Sequence, residues 1–194
     1  MMPQSSFPIG KFNELPTPFY YYDTERLRST LEEALAASSR YGYHIHYALK
    51  ANANPKILSM ISGMGYGADC VSGNEVSSAL VYGFPGDKIV FAGVGKSDAE
   101  IRTGLEKDIA CFNIESIPEM EVIDALAGGM GKKARVAIRI NPNIDARTHH
   151  YITTGLEENK FGIGAWELEE VVNRLRELKN LELKGLHFHI GSQI

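Results

Sequence analysis

A lysine stands at the end of a short apolar run, His44-Ile45-His46-Tyr47-Ala48-Leu49-Lys50-Ala51-Asn52. As a strand, the run alternates. His44, His46, Ala48 and Lys50 share one face, and Ile45, Tyr47 and Leu49 share the other. A lysine held at a strand tip inside a pocket loses solvation. Its amine pKa then falls, and the free amine becomes a nucleophile for a carbonyl. That is Schiff-base chemistry; the plainer alternative is a strand ending at a solvated lysine. A second chemistry is open as well. His44-Ile45-His46 and His187-Phe188-His189 are two His-x-His pairs. Each places two imidazoles on one strand face, as a zinc-dependent hydrolase requires.

The elements that must position these residues follow one repeated phrase. A short apolar run ends, a capping residue follows, and an amphipathic helix begins. Asn54-Pro55 follows the first run, with proline at the first helical position. Ser72-Gly73-Asn74-Glu75, Ser97-Asp98-Ala99-Glu100 and Ser116-Ile117-Pro118-Glu119 follow the next three as capping boxes. The expected strands are His44–Lys50, Gly67–Val71, Lys88–Val94, Ile109–Ile114, Ala134–Ile140 and Leu183–Ile190. A helix is expected from Thr24 to about Ser39. Another, from about Trp166 to Leu178, carries Leu168, Val171, Val172, Leu175 and Leu178 at helical spacing. A long loop is expected from Asn141 to Gly164. Apolar strands alternating with helices predict an α/β fold with a parallel sheet covered on its faces. The repeat length is that of a TIM-type (β/α)8 barrel, of which about six units are present. A doubly wound open sheet is the alternative.

Composition narrows the class. With 44% hydrophobic and 23% charged residues, the 194-residue chain is an ordinary globular sequence. Its net charge of -4 argues against a nucleic-acid or anionic-membrane partner. Cys70 and Cys111 sit in apolar runs without zinc or disulfide spacing, and read as buried reduced thiols of a cytoplasmic protein. Met1 to Asn13 lacks a signal-peptide pattern, and no apolar stretch is long enough to span a membrane.

In such sheets chemistry sits at the C-terminal ends of the strands. Lys50 ends the first strand and Asp69 lies near the end of the second. Arg139 and Asn141 end the fifth; His187, His189 and Ser192 end the sixth. Alternation puts Lys50, Arg139 and His189 on the pocket side if each strand keeps the phase of its neighbours. An amine, a carboxylate, a guanidinium, an imidazole and a hydroxyl beside glycine suit an aldehyde cofactor that carries a phosphate.

The segment Tyr47-Ala48-Leu49-Lys50-Ala51-Asn52, with Ile57, Leu58 and Ile61 after it, resembles the lysine-attachment motif of the alanine-racemase-like pyridoxal-phosphate decarboxylases. Three more segments are similar to the diaminopimelate decarboxylase branch of that family. They are Gly67 to Glu75, Asn141 to Ile163 (with Asn159-Lys160-Phe161-Gly162), and His187 to Gln193. Pro16-Thr17-Pro18-Phe19-Tyr20 fits the family's N-terminal entry. The resemblance runs from about Leu15 to Ile194.

The resemblance implies pyridoxal 5'-phosphate as cofactor and roles by position. Lys50 would carry the cofactor as a Schiff base. His189 would stack on its ring, Ser192 would bond the phosphate, and Asp69 and Arg139 would line the pocket and orient Lys50. Lys160 would support a subunit interface. Each has a structural alternative: an Asp–Arg ion pair, a core histidine, or a serine capping the next helix. His149 and His150 read as loop surface. His150 and Asn143 depart from the family's pattern, which puts loop geometry in doubt.

The implied activity is decarboxylation of meso-2,6-diaminopimelate to L-lysine and CO2. Ornithine, arginine and carboxynorspermidine are the rival substrates. The expected partner is a small amino acid, with a homodimer whose active site lies at the interface. A non-catalytic pyridoxal-phosphate carrier is the remaining alternative. Residues 1–23 are expected to hold a strand near Phe19–Tyr22 that joins a C-terminal β-domain, and residues 24–194 a partial barrel. The family's glycine-rich phosphate loop, the acid at the pyridine nitrogen, the substrate-binding arginines and the partner subunit's cysteine are expected beyond Ile194. The chain by itself is therefore expected to be inactive.

Overall fold

A computed structural model of the chain describes residues 7–141 and 161–190. The chain divides into two compact units, Met1–Ile45 and His46–Ile194. In the first, α1 (Ile9–Phe12) precedes α2 (Thr24–Ser39). The bounds of α2 match the sequence reading, because Asp23 caps it and accepts a hydrogen bond from the Arg26 N–H at 3.0 Å. Phe12 packs against Phe19 and Tyr21. The strand expected near Phe19–Tyr22 is not formed among the described residues.

The second unit alternates strands and helices. The strands are β1 (His46–Ala48), β2 (Gly67–Cys70), β3 (Ile89–Phe91), β4 (Cys111–Ile114), β5 (Ala134–Asn141), β6 (Ile163–Gly164) and β7 (Leu181–His187). The helices are α3 (Pro55–Gly63), α4 (Gly73–Val81), α5 (Asp98–Glu106), α6 (Ile117–Gly129) and α7 (Leu168–Glu177). β1 to β5 pair in sequence order, β7 pairs with β5, and every pairing is parallel. The two-residue β6 extends the end of β5. This order never reverses direction, as a doubly wound sheet must at its switch point. It is the one-way winding of a (β/α) barrel.

The helix starts lie where the capping residues predict. Asn54, Ser72, Ser97 and Ser116 are the N-caps of α3, α4, α5 and α6. Of the three serine boxes, Ser97–Glu100 alone is closed in full. In the other two, the glutamate reaches one residue further back. Glu75 Oε2 accepts from the Val71 N–H at 2.8 Å, and Glu119 Oε2 accepts from the Glu115 N–H at 2.8 Å. Glu100 Oε1 also accepts from the Gly73 N–H at 2.6 Å, so one carboxylate serves the starts of both α4 and α5. These hydrogen bonds, first those from Ser97 and Gly73, lower the Glu100 pKa.

The core lies between the sheet and its helices. Ala68, Cys70, Ile89, Phe91, Phe112, Ile114, Val136 and Ile138 point that way, and none is more than 2% exposed. Gly104 of α5 lets the helix lie on the Phe112 ring; a Cβ there would sit 2.6 Å from Phe112 Cζ. Burial pushes the Cys70 and Cys111 thiols up to about 12, so both stay protonated and inert. No helix among the described residues is long and apolar enough to cross a membrane.

β7 does not hold one phase along its length. Val136 pairs with Leu183, but Ala137 pairs with Gly185, which leaves Lys184 as a bulge residue. The extra residue switches the faces. Before it, Leu183 stands beside the core residue Val136; after it, His187 stands beside Arg139. Without the bulge, Leu186 would take that place and both histidines would turn to the other face.

Candidate active site

Register assembles the site. Ala48 pairs with Asp69, and Arg139 with His187. These residues lie on the face away from the helix-side core, at the C-terminal end of the sheet. β1 ends at Ala48, two residues earlier than the sequence reading. Lys50 therefore sits on a one-turn 3-10 helix, Leu49–Ala51. Leu49, 1% exposed, anchors that turn. The Tyr47 hydroxyl donates to the Asn52 carbonyl at 3.1 Å, and Asn52 Oδ1 accepts from the Asn54 N–H at 2.9 Å.

Lys50 itself is exposed rather than enclosed. β1 is hydrogen-bonded to β2 and is an edge of the sheet among the described residues, so a wall stands on one side of the lysine alone.

Four of the expected site residues share one electrostatic environment. Burial raises the Asp69 pKa, and the nearby positive charges of Lys50, His46 and Arg139 oppose the rise. Burial lowers the His189 pKa, and Arg139 and Lys50 lower it further, while Asp69 opposes. His189 is thus held neutral, with an imidazole face free of charge. Burial, followed by Arg139, also lowers the His187 pKa, against the pull of Glu115. His187 Nδ1 is buried and has no hydrogen-bond partner among the described residues. The fifth expected residue, Ser192, lies outside the described residues, as do Lys160, His149, His150 and Asn143. Asn141 is the last residue of β5.

The His-x-His pairs do not converge. His44 precedes β1 and is exposed, whereas His46 opens β1 opposite Gly67, where no Cβ would fit beside its ring. No group of three or more His, Cys, Asp or Glu among the described residues is placed to hold a metal.

The sequence reading missed Glu115 and Lys96. Glu115 is the first residue past β4, and its side chain is 2% exposed. Its Oε1 lies 2.8 Å from Arg139 Nη1 and also accepts from the Gly93 N–H at 2.9 Å. Lys96, 1% exposed at its side chain, donates to Glu119 Oε1 at 2.5 Å and to the carbonyls of Gly93 and Asn113. Glu115 was legible on the same rule that found Asp69 and Arg139, since it ends a strand. Lys96 follows Gly93-Val94-Gly95, a stretch with no pattern that signals a buried cation.

The bulge gives a direct test of this assembly. In a chain with one residue inserted between Gly185 and Leu186, Leu186 comes opposite Arg139, and His187 and His189 are expected to titrate near the ordinary 6.5, measured by NMR of the imidazole protons. Lys184→Ala, which keeps the bulge, and deletion of Lys184, which closes the ladder on the same pairs, should both leave them below it. An insertion that left both titrations depressed would show that β7 absorbs the added residue in a second bulge.

Residues 25–194 match the family model described as pyridoxal-dependent decarboxylase, pyridoxal binding domain. Diaminopimelate decarboxylase of Bacteroides thetaiotaomicron is 58% identical over 189 residues, which are 97% of this chain and 49% of that protein. The crystal structure of diaminopimelate decarboxylase from Helicobacter pylori complexed with L-lysine is 44% identical. It superimposes with a TM-score of 0.86 over 96% of this chain and 47% of that one. The enzyme from M. jannaschii in co-complex with L-lysine is 36% identical, with a TM-score of 0.87 over 96% of this chain and 45% of that one. The chain spans about half the length of the curated relatives it matches. A one-way parallel sheet that gathers a lysine, a carboxylate, a guanidinium and a neutral imidazole at its C-terminal end is accounted for by that match, and the chain belongs to the pyridoxal-dependent decarboxylase family, as its pyridoxal binding domain.

Proposed function

We propose that the complete gene product decarboxylates meso-2,6-diaminopimelate to L-lysine and CO2, with pyridoxal 5'-phosphate held at Lys50. The observation that carries this reading is the convergence of Lys50, Asp69, Arg139 and His189 in a chain 58% identical to a diaminopimelate decarboxylase.

The donor set fits the cofactor. An exposed lysine on a fixed turn can reach an aldehyde carbon. The neutral His189 ring offers a flat face to a pyridine ring, and a charged imidazolium would repel a cationic one. Asp69 and Lys50 interact through their charges, and Asp69 would help to orient the lysine. Arg139 supplies positive charge on the same face, and Ser192 is proposed as a phosphate ligand. When bound, the cofactor supplies an electron sink for the pair left as CO2 departs. Lys50 Nζ, when free of the cofactor, would be placed to return a proton. The homodimer, the cytoplasmic location and a strand from residues 1–23 joining a further β-domain belong to the same proposal.

Borohydride reduction of the pyridoxal-phosphate-loaded protein, followed by peptide mass mapping, tests it. The phosphopyridoxyl mass is expected on Lys50, and CO2 is expected to be released from diaminopimelate, leaving lysine, but not from ornithine or arginine. The mass on Lys56 or Lys160, or turnover of ornithine or arginine instead, would overturn the assignment.

A further inference from the structure

Arg139 leaves β5 between two groups that fix its guanidinium. On one side is Glu115, at 2.8 Å. On the other is the Phe161 ring, whose centroid lies 5.6 Å from Arg139 Cζ. Gly162 brings that ring in: its φ is +96°, and a Cβ on it would sit 2.9 Å from the Arg139 carbonyl oxygen. Glu115 is itself braced. Gly93 donates to its side chain, and its own N–H donates to Glu119, which holds Lys96.

Glu115 Oε2 is buried with no hydrogen-bond partner among the described residues. A buried ion pair of this kind adds little stability over an apolar pair of equal volume, so stability alone does not explain it. Geometry does. Asp69 lies on the same sheet face as Arg139 and interacts with both Arg139 and Lys50. An Arg139 released from Glu115 can turn to Asp69 and draw that carboxylate away from Lys50.

We infer that Glu115 and Phe161 are positioning residues that hold the Arg139 guanidinium in one orientation at the cofactor pocket. The inference rests on the reading that this pocket takes pyridoxal phosphate. It concerns only how Arg139 is held there.

The test is a mutant cycle on the complete gene product, with pyridoxal-phosphate Kd read from the visible absorbance of the bound cofactor. E115Q keeps an acceptor for Gly93 and loses the charge; its Kd should rise about tenfold. Phe161→Ala removes an exposed ring and should raise Kd about threefold. In an R139K background, which lacks the planar fork, each change should add less than about twofold. An unchanged Kd in E115Q, or equal losses in both backgrounds, overturns the inference. Should E115Q fail to fold, the Phe161→Ala arm decides by the same comparison. A wild-type protein that binds no pyridoxal phosphate overturns the cofactor reading and this inference together. A wild type that binds, with additive mutants, overturns the inference alone.

Discussion

Lys50→Ala in the complete gene product is expected to lose the visible absorbance of covalently held pyridoxal phosphate and to slow lysine release by at least about 10³-fold. Two roles end at one atom. In the proposed reaction Lys50 Nζ is the attachment point, and it is also the amine that would return a proton. The fold should survive. Leu49 and the Tyr47–Asn52 hydrogen bond hold the turn, while Lys50 itself is exposed, so the unfolding free energy should move by no more than about 0.5 kcal/mol. Lys50→Arg keeps the positive charge beside Asp69 but cannot form the imine, and should be nearly as inactive. Absorbance spectra, lysine release and urea unfolding check the three parts. Residual turnover within tenfold of wild type would remove Lys50 from the chemistry.

Lys96→Met is expected to do the reverse: to cost about 3–5 kcal/mol of stability through one lysine that touches no proposed cofactor. Its ammonium is nearly fully buried and gives three hydrogen bonds, to Glu119 and to two carbonyls. Removing it strands a carboxylate that is 12% exposed and leaves both carbonyls short of a donor. The loop that carries the Gly93 N–H should loosen with it. Lys96→Met combined with Glu119→Gln removes both charges and should recover part of the loss. Urea unfolding of the two variants decides. A cost below about 1 kcal/mol for the single change would mean that Glu119 finds another partner or water.

What could be read in the sequence and what could not divides along a physical line. Helix starts are local, because a cap is a side chain bonded to a backbone group two or three residues on. Asn54, Ser72, Ser97 and Ser116 were therefore legible. Strand order followed from the repeat, and the choice of barrel over open sheet needed the pairing itself. The strand at Lys50 was drawn too long because alternation continues through Leu49 and Lys50, although the backbone has already turned. Lys50 was expected in a pocket; its exposure depends on which strands flank β1, which no local pattern encodes. The Glu115–Arg139 pair joins two strands 24 positions apart, so it depends on register. Arg139 and His189 were placed on one face on the assumption that neighbouring strands stay in phase. Arg139 and His189 do share an electrostatic environment, but the strand that leads to His189 switches phase at Lys184.

That switch separates the importance of a position from the importance of its occupant. Lys184 is exposed, and its side chain pairs with the equally exposed Glu182. Nearly any amino acid can stand there, and a library of substitutions would score the position as silent. What the imidazoles of His187 and His189 depend on is the pairing that resumes at Gly185, opposite Ala137, and no substitution at Lys184 alters it. Deletion of Lys184 closes the ladder on the same pairs, whereas one residue added after Gly185 shifts every pair beyond it. A survey made by exchange alone would thus pass over this count, and libraries built from single-codon insertions are the ones that would find it.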